Sequence, residues 1–295
     1  MNNNIKAILL TVSGSFFAVL MESLIRSAQY DSNVYTIGFL RFFFGFLVIF
    51  PYIINKKFVP FKTKNLKFYL IRGLFNLPMM ILGFGALMYV PFEQFKALHF
   101  LSPIIVVLLS FIIFREKVFI YRILALVIGF LGMLIIVRPG ILDFNIGTIM
   151  ILISLTFWSF IVIVSKFVSK NDSPITLVTY QYTIMTIFSL PLAIYFWQMP
   201  SLNSLIFVFI GAISGTILHL FLALSYKYAE LSLTQPVWFS GLIFGSAFGY
   251  FIFNETPDMF TWLGGVVVFS SVLLITYNER SKDFKNTKNI VINGN

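Results

Sequence analysis

The chain has 295 residues, of which 59% are hydrophobic and 11% are charged. With a mean hydropathy of +0.92, this composition excludes a soluble domain with an ordinary polar surface and predicts a membrane protein. The net charge of +10 does not indicate nucleic-acid binding, because the basic residues border apolar segments and form no separate basic domain. It is expected to favour contact with an anionic lipid bilayer instead. The absence of cysteine excludes disulfides, thiol catalysis and cysteine-ligated metals.

Ten apolar segments follow one another along the chain, and each reaches or approaches the ~20 residues that an α-helix needs to cross the hydrocarbon layer. They are residues 5–28, 33–54, 66–89, 93–114, 119–137, 145–167, 174–198, 203–227, 230–253 and 258–277. We therefore predict an all-α membrane protein with ten transmembrane helices. Residues 279–295 are polar and rich in Asn and Lys, and they are predicted to form a disordered tail on the cytoplasmic side.

The basic residues are unevenly distributed between the gaps that separate these segments. Most of the 21 Lys and Arg residues fall in or next to alternate gaps, and five of them lie in the gap after the second segment or at the very start of the third. These five are Lys56, Lys57, Lys62, Lys64 and Lys67. Because Lys and Arg of short loops stay on the cytoplasmic side, both termini are predicted to face the cytoplasm of a bacterium with the protein in the inner membrane.

Short motifs recur in the same order in the two halves of the chain. They are Ala86-Leu87-x-Tyr89 and Phe114-x-Glu116 in the first half, and Ala223-Leu224-x-Tyr226 and Phe253-x-Glu255 in the second. The offsets between equivalent motifs are 137 and 139 residues, close to half of the chain. The sequence therefore predicts a five-helix repeat over residues 5–140 and a second copy over residues 145–278.

The second copy is predicted to be inverted in the membrane, because each copy contains an odd number of spans. Equivalent loops should then carry opposite charge bias. The gap after the second segment is rich in Lys, whereas its counterpart at residues 198–204 contains no basic residue. Inverted repeats are typical of secondary transporters, in which two related halves exchange conformations around one site.

Several motifs resemble the drug/metabolite transporter superfamily, in particular its EamA-type members. They are Arg41-Phe42-Phe43, Arg72-Gly73, Ser102-Pro103 and the two Phe-x-Glu ends. The resemblance implies ten helices around a central cavity and substrates that include amino acids, nucleobases and S-adenosylmethionine. Residues 72–116 most resemble bacterial carriers of S-adenosylmethionine or other amino-acid-like metabolites. Two positions depart from the pattern: Leu242 stands where the first half has Pro103, and Lys96 stands where related sequences often have a small or hydroxyl residue.

Charged residues inside membrane spans are costly and usually face a protein interior or a wet cavity. Glu22 and Arg41 lie at similar depths in neighbouring antiparallel helices, so they are predicted to be able to pair. Such a pair would serve either to join the two helices or to bind substrate, and the sequence leaves both open. Arg72 lies near the cytoplasmic end of its segment and is predicted to extend to the interface.

The fourth segment concentrates polar groups on one helical face. Lys96, His99 and Pro103 are spaced by three and four residues, so they share that face, and Glu93 lies one turn before Lys96. An offset of 139 residues aligns Gln235 and Trp238 with Lys96 and His99. We therefore predict a site at the interface of the two repeats; for His99 the alternative is a buried hydrogen-bonded contact between helices.

Other polar or amphipathic groups inside the spans complete the predicted site. The candidate substrate-binding residues are Glu22, Arg41, Asn76, Lys96, His99, Trp158, Tyr180, His219, Gln235 and Trp238. Gln181 is a further polar residue within a span. Glu116 and Glu255 are predicted to interact with the N-terminal dipoles of the helices that follow them.

The sequence predicts a secondary transporter that moves a small polar, zwitterionic metabolite by alternating access. Lys96 and Arg41 would bind a carboxylate, Glu22 an amino or sulfonium group, and Trp158 and Trp238 an apolar or cationic part of the substrate. The alternatives are an intramembrane enzyme that uses His99 as acid or base, and a passive channel. No phosphate-binding loop, cofactor motif or metal-binding pattern is evident, and the oligomeric state is left open.

Overall fold

A computed structural model describes residues 3–99, 101–116, 119–137, 145–256 and 258–293, without the side chains of residues 93, 94, 97 and 280–293. In this part of the chain, the helices are α1 Asn3–Ala28, α2 Val34–Asn55, α3 Leu66–Ala86, α4 Phe92–His99, α5 Ser102–Phe114, α6 Ile120–Val137, α7 Ile146–Val168, α8 Pro174–Tyr195, α9 Leu202–Tyr228, α10 Leu231–Trp238, α11 Ser240–Phe253 and α12 Met259–Asn293. A 3₁₀ turn at Val59–Phe61 lies between α2 and α3.

Each of the ten predicted segments corresponds to one or two of these helices. Within the described residues, eight helical spans are long and apolar enough to cross a membrane, with α10 and α11 counted together. The helices α5 and α6 are apolar but shorter. The predicted all-α fold with ten spans is therefore confirmed.

The fourth and ninth spans are each broken near the middle, whereas the sequence pattern indicated continuous helices. The breaks separate α4 from α5 and α10 from α11. At the first break, Leu101 N donates to Leu98 O at 3.1 Å, and at the second, Phe239 N donates to Pro236 O at 3.2 Å. These bonds join residues i and i+3, so the chain makes one tight turn before the helix resumes.

Proline explains the first break. Pro103 has no N–H to donate to the carbonyl of His99, and the hydroxyl of Ser102 donates to that carbonyl at 2.8 Å instead. In the second repeat Leu242 occupies the equivalent position, but Pro236 lies within α10, just before the break. The two central helices are thus broken at equivalent places despite the different positions of their prolines.

The packing of the helices follows the duplication. In the order of the repeats, α1 corresponds to α7, α2 to α8, α3 to α9 and α6 to α12. The helix α1 packs along α9, and its equivalent α7 packs along α3, while α2 packs on α8 and α6 packs on α12. Equivalent helices of the two halves therefore make reciprocal contacts, and the inversion of the second copy in the membrane stays a prediction.

The loops define two ends of the bundle. We call the end with residues 56–65 and 169–173 the terminal face, and the end with residues 29–33 and 196–201 the distal face. At the distal face, Asp31 accepts hydrogen bonds from Ser204 Oγ at 2.6 Å and from Ser201 N at 3.2 Å. Hydrogen bonds from the side chains of Ser201 and Ser204 hold the pKa of the Asp31 carboxyl below its ordinary value. These contacts join the loop after α1 to the loop before α9.

The last helix, α12, extends from Met259 to Asn293, whereas residues 279–295 were predicted to form a disordered tail. Glu279 accepts hydrogen bonds from Tyr121 Oη at 2.5 Å and from Asn4 Nδ2 at 2.7 Å. Arg122 Nη2 forms an ion pair with the same carboxylate at 2.9 Å. These partners stabilise the helix through Glu279 at the terminal face; the side chains of the following residues lie outside the description.

Candidate functional site

A cavity of about 60 Å³ lies between the two repeats, at the level of the broken helices. In this conformation it has room for only a few water molecules. Of the ten predicted site residues, eight line it: Glu22, Arg41, Asn76, Lys96, His99, Trp158, His219 and Trp238. Residues from α1, α2, α3, α4, α7, α9 and α10 therefore meet in one place.

Lys96 forms an ion pair with Glu22 in the wall of this cavity. Lys96 Nζ lies 2.6 Å from Glu22 Oε2, and Lys96 is only 3% exposed. A Cβ atom added at Gly245 would lie 2.9 Å from Lys96 Cγ, so the absence of a side chain there makes room for the lysine stem. The pair joins α1 to α4. The structure thus gives Glu22 a different partner from the predicted Arg41, while the side chain of Glu93 lies outside the description.

Arg41 is buried without a carboxylate at ion-pair distance among the described residues. Its Nε and Nη2 atoms lie 3.1 and 3.0 Å from Met21 Sδ, and Nη2 lies 3.2 Å from His219 Nε2. The guanidinium carbon lies 4.3 Å from the centroid of the Phe42 ring. These soft or neutral partners orient the guanidinium at the cavity but do not neutralise it.

Arg72 is buried as well, and the prediction that it extends to the membrane interface was wrong. It is 3% exposed, its Nε donates to Ser165 Oγ at 2.8 Å, and its Nη2 donates to Gln181 Oε1 at 2.8 Å. Gln181 Nε2 in turn lies 2.7 Å from His219 Nε2. A continuous chain of hydrogen bonds therefore connects Arg72, through Gln181 and His219, to Arg41. Polar acceptors on α7 and α8 hold Arg72 inside the protein.

Two predicted site residues do not line the cavity. Tyr180 Oη donates to Phe61 O at 2.7 Å near the terminal face, and the next residue, Gln181, lines the cavity instead. Adjacent residues of a helix point in directions about 100° apart, so only one of the two can face the cavity. Gln235 is buried on α10, where its side chain interacts with Tyr226.

The aromatic residues and His99 form the less polar part of the cavity wall. Trp158 of α7 and Trp238 of α10 line it together with Phe84. The His99 ring lies tilted against the Phe95 ring, with 4.6 Å between centroids and 42° between ring planes. His99 Nδ1 is buried and has no hydrogen-bond partner in the described structure. The cavity thus combines aromatic surfaces, one unpartnered imidazole nitrogen and a guanidinium.

Glu116 and Glu255 cap helices, but not those predicted. Glu116 accepts hydrogen bonds from Leu231 N at 3.1 Å and Ser232 N at 3.0 Å, at the start of α10. Glu255 accepts from Phe92 N at 3.0 Å, at the start of α4. Each carboxylate therefore caps a half-helix of the other repeat. These contacts fix both half-helices that carry the cavity residues.

The capping carboxylates are reached through equivalent backbone turns. The preceding residues, Arg115 and Asn254, are both left-handed, with φ of 52° and 55°. At the distal face, Arg26 Nη1 lies 2.8 Å from Glu255 Oε1. At the terminal face, Arg122 pairs with Glu230, and Lys166 Nζ donates to the carbonyl of Tyr226 at 2.6 Å. These contacts at the two faces join residues that are distant in sequence, and the predicted site did not include them. The repeated Phe-x-Glu motif was the one sequence feature that pointed to them.

Comparison with known proteins agrees with this architecture. The model of the EamA-like transporter family matches residues 5–138 and again residues 145–277. The S-adenosylmethionine uptake transporter of Rickettsia prowazekii strain Madrid E is 28% identical over 247 residues, which cover 83% of this chain and 84% of the relative. The riboflavin transporter of Vibrio cholerae is 30% identical over 277 residues, or 93% of each chain. The pseudopaline exporter of Pseudomonas aeruginosa is 22% identical over 280 residues, or 92% and 96% of the two chains.

A solved crystal structure supports the fold. It superposes with a TM-score of 0.74 over 95% of this chain and 96% of its own, at 16% identity. The family and these relatives are transporters and not enzymes, in agreement with the expectation for this chain. The chain belongs to the EamA-like transporter family of the drug/metabolite transporter superfamily, and it is a multi-pass membrane protein that transports small metabolites.

Proposed function

We propose that the chain moves a small zwitterionic metabolite through the central cavity by alternating access, with S-adenosylmethionine as the first candidate. The observation that carries the proposal is the buried Arg41 guanidinium, which lines the cavity and has no carboxylate at ion-pair distance in the described structure. A guanidinium binds a carboxylate with two parallel hydrogen bonds, so the cargo is expected to have one.

The remaining residues of the cavity suit the other parts of such a molecule. Glu22, which also lines the cavity, is proposed to bind an amino or sulfonium group. Because Lys96 contacts Glu22 at 2.6 Å, we assign Lys96 to the orientation of that carboxylate and no longer to the binding of substrate. Trp158 and Trp238 offer aromatic faces for a planar ring or a cation.

The names of two relatives give two candidate cargoes, of which one has a carboxylate and the other does not. S-adenosylmethionine, named for the Rickettsia relative, has a carboxylate and a sulfonium. Riboflavin, named for the Vibrio relative, has no carboxylate. The charge of Arg41 therefore favours the first of these two molecules for this chain. The identities of 28% and 30% alone do not distinguish them.

Counterflow in proteoliposomes tests the proposal. Vesicles that contain the full chain and are preloaded with unlabelled S-adenosylmethionine are expected to accumulate the radiolabelled compound in a saturable manner. Decarboxylated S-adenosylmethionine, which lacks the carboxylate, and S-adenosylhomocysteine, which lacks the sulfonium charge, should each compete at least about tenfold less well, since each loses one charge-assisted interaction. Equal competition by all three compounds, or accumulation driven by riboflavin alone, would contradict the proposed cargo. Flux that does not saturate would indicate a channel.

We also propose that the terminal face is cytoplasmic, so that both chain termini lie inside the cell. Because the chain contains no cysteine, single cysteines report the side directly. In right-side-out vesicles, a membrane-impermeant maleimide should label Thr256→Cys and Ser201→Cys but not Lys62→Cys, which should react only after permeabilisation. All three native residues are exposed. Labelling of Lys62→Cys from outside would reverse the orientation.

A further inference from the structure

A second cavity, of about 10 Å³, lies on the terminal-face side of the central one and has room for about one water molecule in this conformation. It is lined by Arg72, Trp158, Ser165, His219, Ala223 and Tyr226, among others. Trp158 and His219 line both cavities, so these two side chains belong to the partition between them. Arg41 faces the partition from one cavity and Arg72 from the other.

The charge of Arg72 is not neutralised by its described partners. Its hydrogen bonds go to the hydroxyl of Ser165 and the amide of Gln181, which are both uncharged. None of the described carboxylates lies at ion-pair distance from it. A guanidinium buried to 3% exposure in a membrane span is costly unless an anion accompanies it.

The link between the two guanidinium groups supplies no negative charge. Arginine only donates, so the bond from Arg72 fixes the Gln181 oxygen toward Arg72 and the amide N–H₂ toward His219. His219 Nε2 then faces two donors, Gln181 and Arg41, and its single lone pair is shared between them. The imidazole is therefore neutral, with its proton on Nδ1. Two cations remain, connected by neutral groups.

We propose that Arg72 forms a second anion-binding station, which receives the anionic group of the cargo after Arg41 and releases it toward the terminal face. Two cations in series, one in each cavity, allow the anion to cross the middle of the membrane without losing a positive partner. The identity of the cargo as a carboxylate rests on the proposed function. The preference of the second cavity for anions does not, and it can be measured without any substrate.

Thiol modification at Ala223 measures that preference. Ala223 lines the second cavity and is 1% exposed in this conformation, and Ala223→Cys introduces the only thiol of the chain. Its reaction therefore reports the conformations in which the second cavity opens to the terminal face. The rates of its reaction with anionic sulfonatoethyl methanethiosulfonate and cationic trimethylammonioethyl methanethiosulfonate are measured from the terminal face and divided by their rates with a free thiol. We expect the anion-to-cation ratio to fall at least about fivefold when Arg72→Gln is added. Arg72→Lys should retain most of the ratio because it retains the charge.

A thiol outside the cavity provides the matched control. At Lys62→Cys, on the same face, the ratio should not respond to Arg72→Gln. An unchanged ratio at Ala223→Cys in the Arg72→Gln variant would overturn the proposal, as would the absence of any reaction from the terminal face. A third outcome is that the anion-to-cation ratio at Ala223→Cys falls as expected while the native chain shows no S-adenosylmethionine counterflow. That result would support the anion-binding station at Arg72 and contradict the proposed cargo.

Discussion

Arg41→Gln is expected to reduce the initial rate of S-adenosylmethionine counterflow at low substrate concentration by roughly 10- to 150-fold. A charge-assisted hydrogen bond contributes about 1.5–3 kcal/mol, and each 1.4 kcal/mol corresponds to a factor of about ten. The guanidinium is buried and contacts Met21 and His219. The glutamine amide that replaces it is neutral, so the charge is lost from the cavity. Rates measured against concentration in proteoliposomes give the effect, which should fall mainly on apparent affinity.

The substrate itself provides the control for this variant. If Arg41 binds the carboxylate, decarboxylated S-adenosylmethionine should be moved by the native chain and by Arg41→Gln with rates that differ less than about threefold. Met21→Leu removes the sulfur contact but leaves the charge. It should therefore lower the rate of S-adenosylmethionine counterflow much less than Arg41→Gln does. Equal losses for both substrates in Arg41→Gln would show that Arg41 maintains the fold or the conformational change instead of binding the carboxylate.

Lys96→Met is expected to destabilise the protein by about 3–5 kcal/mol, because it leaves Glu22 buried without the cation that lies 2.6 Å away. The side chains of Lys96 and Glu22 are only 4% and 13% exposed, so the few water molecules that the cavity can hold replace the lost partner only in part. Thermal unfolding of the purified protein in detergent should show a clear decrease in Tm. Glu22→Gln/Lys96→Met should regain most of the stability, since it removes the unpaired charge together with its partner.

Transport by the double variant separates stability from binding. Although it is expected to fold, it lacks the carboxylate that we propose for the cationic group of the cargo. Its discrimination between S-adenosylmethionine and S-adenosylhomocysteine should therefore fall at least about tenfold. If the double variant transports S-adenosylmethionine with the rate and discrimination of the native chain, Glu22 and Lys96 form only a structural pair. An unchanged Tm in Lys96→Met would show that the pair contributes little to stability.

The structure brings most of the predicted site residues together, while their role in binding stays a prediction. Eight of the ten predicted residues line the cavity, because polar groups are rare inside apolar spans and seldom face lipid. Lys96 and Glu22 could thus be selected without knowledge of their neighbours. Their pairing could not, because it depends on how α4 and α1 are rotated about their axes and on the space above Gly245.

The same limit applies to Arg72 and to the capping carboxylates. Arg72 is near the end of a span, a position from which long side chains commonly reach the interface, but Ser165 and Gln181 provide buried acceptors from other helices. Glu116 and Glu255 precede helices in sequence, yet they cap half-helices of the opposite repeat. In each case the expectation came from the position of the residue along the chain, and the structure shows a contact with a residue more than ninety positions away.

The sequence by itself determined the ten spans and the duplication, and its assignment of a substrate site stays a prediction. Hydrophobicity over ~20 residues decides whether a segment crosses the bilayer, and this property is local. An odd number of spans in each copy then requires inversion. Only the tertiary structure decided the breaks in the fourth and ninth spans, the exchange of capping carboxylates and the partners of Glu22, Arg41 and Arg72. Those features depend on the rotation and depth of each helix relative to helices that are distant in sequence. The packing of the whole bundle determines both.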